Sequence, residues 1–365
     1  MYTNEERAVA ALGELYRRFG YRHYKMSKFE EYDLYGRNKE FLISDNVITF
    51  TDTNGKLMAL KPDVTLSIIK NGQDSDGMQK VYYDEHVYRV SGGTHAFKEL
   101  KQVGLECVGT VDAYAVYEVL MLAAKSLQAL SADCVLDISH LGIVFALLDD
   151  MNLSAEDTRR ALALIGDKNR HELAALCDAC GVAPAQAARL SELVGLYGTP
   201  ATVLPRLYAL LQDTPAAPFV SELQTVTDAL SADGLGDTVH IDFSVVNDRN
   251  YYNGFVFKGF INGISTRILS GGQYDRLMQK MGRRANAIGF ALYLDLLGEL
   301  PAPVAPYDVD TVLLYDSETA LAAVQTAVRR LTDEGRQVLA LSAVPAELRY
   351  RELLKLNGEE VTVVG

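Results

Sequence analysis

Apolar positions recur at helical spacing near the start of the chain. Ala8, Leu12, Leu15, Tyr16 and Phe19 share one face, Thr3 and Glu6 fit a capping box, and Gly20 supplies a stop. The period then shortens. Val47 to Asp52 and Leu57 to Leu60 flank Asn54-Gly55, a pair suited to the positive φ of a tight hairpin. Pro62 is expected to open a short helix through Asp63, Val64, Thr65, Ile68 and Ile69. Val81 to Val90 and Lys98 to Val108 read as strands joined by a glycine-rich loop, SGGTHAF. Asp112 then caps a long helix in which Val116, Tyr117, Leu120, Ala123, Ala124 and Leu127 recur at helical spacing.

From about residue 142 to 235 alanine and leucine dominate, which predicts an all-helical insertion. Ser154, Asp167 and Ala183 precede successive amphipathic helices, and Leu204, Leu207, Leu210 and Leu211 belong to another. Strands resume at Val239 to Val246, and Tyr251 to Phe260 is expected to pair with Ser265 to Leu269 across Asn262-Gly263. Ala287 to Leu297 reads as an apolar helix. Pro301, Pro303 and Pro306 mark a linker over 301–307. Beyond it come a strand (Thr311 to Tyr315), a helix (Ala320 to Glu334), a strand (Gln337 to Leu341), a further helix and a last strand (Glu360 to Val364). The order predicts an α+β fold: a mostly antiparallel sheet flanked by helices over residues 1–300, and a small α/β domain over 308–365.

Composition narrows the class. At 365 residues, 48% hydrophobic and 23% charged, the chain is expected to be a soluble globular protein with one large domain and one or two small ones. No stretch approaches the roughly 20 apolar residues of a membrane span, and the N-terminus lacks a signal-peptide pattern, so a cytoplasmic location is expected. The net charge of −13 weighs against a polyanionic partner, because phosphate neutralisation needs a basic surface. Of the four cysteines, only Cys177 and Cys180 form a CxxC, with no second pair to complete a zinc site. The six histidines show no HxH or HExxH spacing. Neither a metal nor a cofactor is expected.

Six segments carry a more specific signal: LKPDVT (60–65), VYRV (87–90), QVGLECVG (102–109), YYNGFVF (251–257), GGQYDRL (271–277) and AIGFAL (287–292). In this order and at these separations they resemble the class II histidyl-tRNA synthetases across roughly residues 1–300. The resemblance implies a histidine pocket on the sheet. Asp63 and Thr65, helped by Gln102, would hold the α-ammonium, and Glu106 with Tyr251 or Tyr252 would address the imidazole nitrogens. The bare residues leave a plainer reading open, that of ordinary polar positions on a half-exposed sheet. Gln102 and Glu106 do lie four apart on a strand, which puts them on one face.

The departures from that family lie where it handles phosphate. Motif 2 keeps Arg89, but Ser91 stands for its glutamate and the loop after it has no arginine. Leu296 stands at the motif 3 arginine, Asn247 at the histidine-specific arginine, Lys61 and Gln273 at two more. Arg249, two residues after Asn247, is a possible substitute, so Arg89 and Arg249 are the expected carboxylate contacts. Losing even one charged transition-state contact costs several kcal/mol. A synthetase-like core with these losses resembles the regulatory subunits of ATP phosphoribosyltransferase, which are not catalytic. That resemblance implies a short catalytic partner in a hetero-octamer, self-association as a dimer, histidine as effector, and a place in histidine biosynthesis. The alternatives are another non-aminoacylating paralogue or an active synthetase.

Overall fold

The computed structural model describes residues 4–37, 47–72, 77–91, 94–246, 252–300, 307–358 and 360–364. The Thr3 end of the capping box and the linker prolines lie outside them. The chain divides into two compact units, Asn4–Leu300 and the C-terminal residues from Pro301 onward.

The first unit is built on a nine-stranded sheet. From edge to edge it runs Arg22–His23, Gln79–Val90, Phe97–Gly109, Asn286–Tyr293, Leu269–Gln273, Phe255–Ile261, Cys134–His140, Val239–Asp242 and Tyr197–Gly198. Pairing is antiparallel except at Arg22–His23 with Gln79–Val90 and at Cys134–His140 with Val239–Asp242. Side chains alternate between the faces of a strand, so each strand has an inner and an outer set. On one face Val103, Leu105, Cys107, Phe290, Leu292, Phe257 and Ile138 join a single core with the helices Asn4–Arg18 and Ala113–Leu130. The opposite face carries Tyr83, Glu85, Gln102, Glu106 and Lys258.

Helix Ala113–Leu130 anchors that core. Asp112 accepts a hydrogen bond from the Ala115 amide at 2.9 Å, the expected cap. Val119, Leu120, Ala123 and Leu127 are fully buried, and burying each large aliphatic side chain contributes about 1.5–3 kcal/mol. The Tyr16 hydroxyl, 2.9 Å from Ser126 Oγ, ties the first helix to it. A separate three-stranded sheet pairs Phe29–Glu31 and Thr49–Thr51 with Leu57–Leu60. Its hairpin turns at Gly55, whose φ of +82° demands glycine.

Several expectations need correction. Residues 286–293 form a strand, not a helix, followed by a 3-10 turn at Leu294–Glu299. The strand is buried on both faces, so its apolar run carries no alternation to betray it. Phe255–Ile261 pairs with Leu269–Gln273 rather than with 265–269. The strand at 239 ends at Asp242, whose carboxylate accepts from the Ser244 amide and turns the chain. The insertion contains six helices between Leu141 and Ala232, but it returns to the sheet at Tyr197–Gly198. Asn169, rather than Asp167, caps the helix Arg170–Ala179 by accepting from the Glu172 amide.

In the second unit the strands run Val338–Leu341, Val309–Leu314, Tyr350–Asn357 and Glu360–Val363. Helix Leu321–Asp333 sets Ala327 and Leu331 against Leu313, Leu354 and Leu356. The helix expected before the last strand is instead the strand Tyr350–Asn357, in which Leu354 and Leu356 point inward at the period of two. Among the described residues no helix is long and apolar enough to cross a membrane.

Candidate functional site

Glu106 lies mid-strand on the polar face of the sheet and is 2% exposed. Its immediate neighbour across the ladder is Gly289, where a Cβ would fall 1.8 Å from the Glu106 carboxylate. Glycine is therefore required at that point of the AIGFAL segment. Gly104, two residues before Glu106, leaves room in the same way for the Tyr83 ring.

Two hydroxyls clasp the carboxylate. Thr65, the first residue of helix Thr65–Asn71, donates to Oε1 at 2.7 Å. Tyr274 donates to Oε2 at 2.5 Å. Tyr274 is held in place by its own amide, which donates to the Ala287 carbonyl, and by the next residue, Asp275, which accepts from the Ala287 amide. Burial nevertheless wins: it pushes the Glu106 carboxyl up to about 8, against the two donors. Asp63, 9% exposed, accepts from the Leu66 amide at 2.9 Å. Its carboxyl is also raised by burial, with the Leu66 bond and the charge of Arg89 opposing. Tyr252 and Tyr83 have phenols pushed far up by burial, and both feel the charges of Glu106 and Asp63.

The fold thus gathers Asp63, Thr65, Glu106 and Tyr252, and places buried Gln102 on the same sheet face, opposite Tyr293. Arg89 shares that face. Its Nε donates to the Pro62 carbonyl at 3.0 Å, while one terminal nitrogen is buried with no hydrogen-bond partner among the described residues. Tyr251, Arg249 and Asn247 lie outside the described residues. Tyr274 was missed as a site residue, although its segment GGQYDRL stood out. Only its distance from Glu106 reveals the role.

Among the described residues, the positions Lys61, Gln273 and Leu296, where the synthetases of the resemblance carry arginine, are committed to structure. Lys61 is fully buried with its ammonium 2.6 Å from Glu85. Gln273 accepts from the Phe255 amide at 2.7 Å and so organises a strand start. Leu296 packs against the main core. The Ser91 backbone closes the motif 2 loop with Ala96 and His95. The arrangement suits a ligand that brings N–H donors to two buried carboxyls and a carboxylate to Arg89.

Comparisons with known proteins bear on the family and the fold. The family profile described as histidyl-tRNA synthetase matches residues 2–297. An ATP phosphoribosyltransferase regulatory subunit from Alkaliphilus metalliredigens is 30% identical over 284 residues, covering 76% of this chain and 71% of the relative. A solved ATP phosphoribosyltransferase regulatory subunit/histidyl-tRNA synthetase from Bacillus halodurans C has a TM-score of 0.79 at 23% identity, covering 96% and 93% of the two chains. An ATP phosphoribosyl transferase (HisG:HisZ) complex from Thermotoga maritima gives 0.62 at 19% identity, covering 79% and 96%. At these identities the two structures speak for the fold alone.

Proposed function

The chain belongs to the histidyl-tRNA synthetase family, and on that premise we propose that it is a non-catalytic regulatory subunit of ATP phosphoribosyltransferase that binds histidine. Histidine would lie on the polar face of the sheet. Asp63, Thr65 and Gln102 would meet its α-ammonium, Glu106 with Tyr252 or Tyr251 its imidazole, and Arg89 or Arg249 its carboxylate. The observation that carries this reading is a contrast between two sets of family positions. The Glu106 carboxyl is buried and held by two hydroxyls, whereas Lys61, Gln273 and Leu296 are spent on packing and pairing.

Glu106 with its carboxyl near 8 is largely protonated at neutral pH. An incoming imidazole would supply the missing counter-charge or acceptor, so binding and protonation are coupled at this carboxyl. Polyphosphate activation needs several cations around the developing charge. With those positions otherwise engaged, binding persists without adenylation. Histidine would favour one state of the assembly with the short catalytic subunit, a coupling of about 1–3 kcal/mol carrying feedback. A dimer of this chain within a hetero-octamer is part of the same proposal.

The test is an assay of a short ATP phosphoribosyltransferase catalytic subunit, with and without this chain, titrated with histidine. The proposal expects activation by the chain and inhibition by histidine that Glu106→Ala relieves. Histidine-dependent ATP–pyrophosphate exchange by the purified chain would instead establish a working synthetase and end the proposal.

A further inference from the structure

Side chains two apart on a strand share a face, so Glu106, Gly104 and Gln102 form a line about 13 Å long on the polar face of the sheet. On one side their cross-strand neighbours are Val81, Tyr83 and Glu85. On the other, about 5 Å away, they are Gly289, Ala291 and Tyr293. Small residues of that strand thus flank the Glu106 end of the line, and a large one flanks the Gln102 end. A Cβ at Gly104 would fall 2.5 Å from the Tyr83 hydroxyl, so this phenol lies over the middle of the line.

Tyr293 is firmly placed. Its amide donates to the Ile268 carbonyl at 2.9 Å, and its chain neighbours Leu292 and Leu294 are buried in the main core. Alternation along the strand therefore holds its ring on the polar face. Burial raises the phenols of Tyr83 and Tyr252, and Glu106, Asp63 and Tyr293 raise both further. The Tyr293 ring thus belongs to the cluster around the two carboxyls. In the Gln102 row, Glu85 is taken by Lys61 at 2.6 Å. Tyr293 is half-buried, and its hydroxyl makes no hydrogen bond among the described residues. It is a free donor beside Gln102.

We propose that Tyr293 makes the pocket selective for free histidine: its ring closes the end that holds the α-carboxyl, and its hydroxyl donates to the carboxylate. This rests on the reading of Glu106 as the imidazole contact and Gln102 as an ammonium contact, which sets the α-carboxyl at the Tyr293 end. A hydroxyl facing a carboxylate makes a charge-assisted hydrogen bond. A carboxyl that carries an ester group loses that charge, and the ring leaves no room for its substituent.

Titration calorimetry on the full chain tests it with histidine, histidine methyl ester and histidine benzyl ester. The two esters share the lost charge and differ in bulk alone. The wild type should bind histidine and prefer the methyl to the benzyl ester by at least about tenfold, a preference that Tyr293→Ala erases. Tyr293→Phe should keep the preference but weaken histidine about tenfold, the loss of one charge-assisted contact. A melting curve verifies that both variants fold. An undiminished ester preference in Tyr293→Ala, or unchanged histidine affinity in Tyr293→Phe, overturns the proposal. Failure of histidine to bind the wild type would instead overturn the pocket reading, and the proposal with it.

Discussion

The Tyr274 hydroxyl donates to Glu106 at 2.5 Å across 168 residues of sequence, opposite the Thr65 hydroxyl on the other carboxylate oxygen. The pair fixes the orientation of a carboxyl that burial raises to about 8 in spite of both donors. Tests of the site follow from that geometry.

Removing the carboxyl should remove the ligand. Glu106→Ala is expected to weaken histidine binding at least about tenfold, the cost of one charge-assisted contact. Calorimetry reads it directly, and an unchanged dissociation constant would refute the pocket assignment.

The two hydroxyl donors can be separated. Tyr274→Phe and Thr65→Val each leave one Glu106 oxygen without its partner, at about 1–3 kcal/mol of stability. In a Glu106→Gln background the same changes should cost measurably less. Strict additivity in a denaturant double-mutant cycle would mean that the clasp contributes nothing.

A pH dependence follows from Glu106. Its carboxyl rises from 4.5 to about 8 on folding, so the folded chain retains a proton that the unfolded chain has released between those values. Stability is therefore highest below about 4.5 for this group, falls as pH rises to about 8, and is level above. The loss can reach about 5 kcal/mol, and Asp63, also raised, adds to it with the same sign. Urea midpoints across this range should decline more steeply for the wild type than for Glu106→Gln. Equal slopes would contradict the assignment.

Gly289→Ala should displace the Glu106 carboxylate, because the new methyl would sit within 1.8 Å of it. Histidine binding is expected to fall as far as in Glu106→Ala, with a stability loss of about 1–3 kcal/mol from overpacking. Retained affinity would show that the carboxylate need not occupy this position.

Lys61→Met tests whether the family's arginine position has become structural. Lys61 is fully buried and Glu85 is 14% exposed, so leaving Glu85 unpaired should cost about 3–5 kcal/mol. Thermal melting of the variant gives the answer, and a neutral substitution would argue that Lys61 is free for other work.

Much of the fold was legible. The strands Gln79–Val90 and Phe97–Gly109 and the helix Ala113–Leu130 lie close to where periodicity put them, because each repeats its pattern over many residues. Asn286–Tyr293 was misread as a helix because a strand covered on both faces has no polar side to show. Tyr350–Asn357 failed differently: four residues of RELLKLNG are charged or polar, and the inward pair Leu354 and Leu356 emerges only against Leu313.

Side-chain direction within a strand is a local property, so the chain's own alternation already put Gln102 and Glu106 on one face and Val103, Leu105 and Cys107 on the other. Which groups meet Glu106 is not local. Thr65, Tyr274 and Gly289 reach it only when distant segments pair in register, and the burial that raises its carboxyl exists only once they do. Sequence set the identity of the acceptor; tertiary packing chose its partners and its charge.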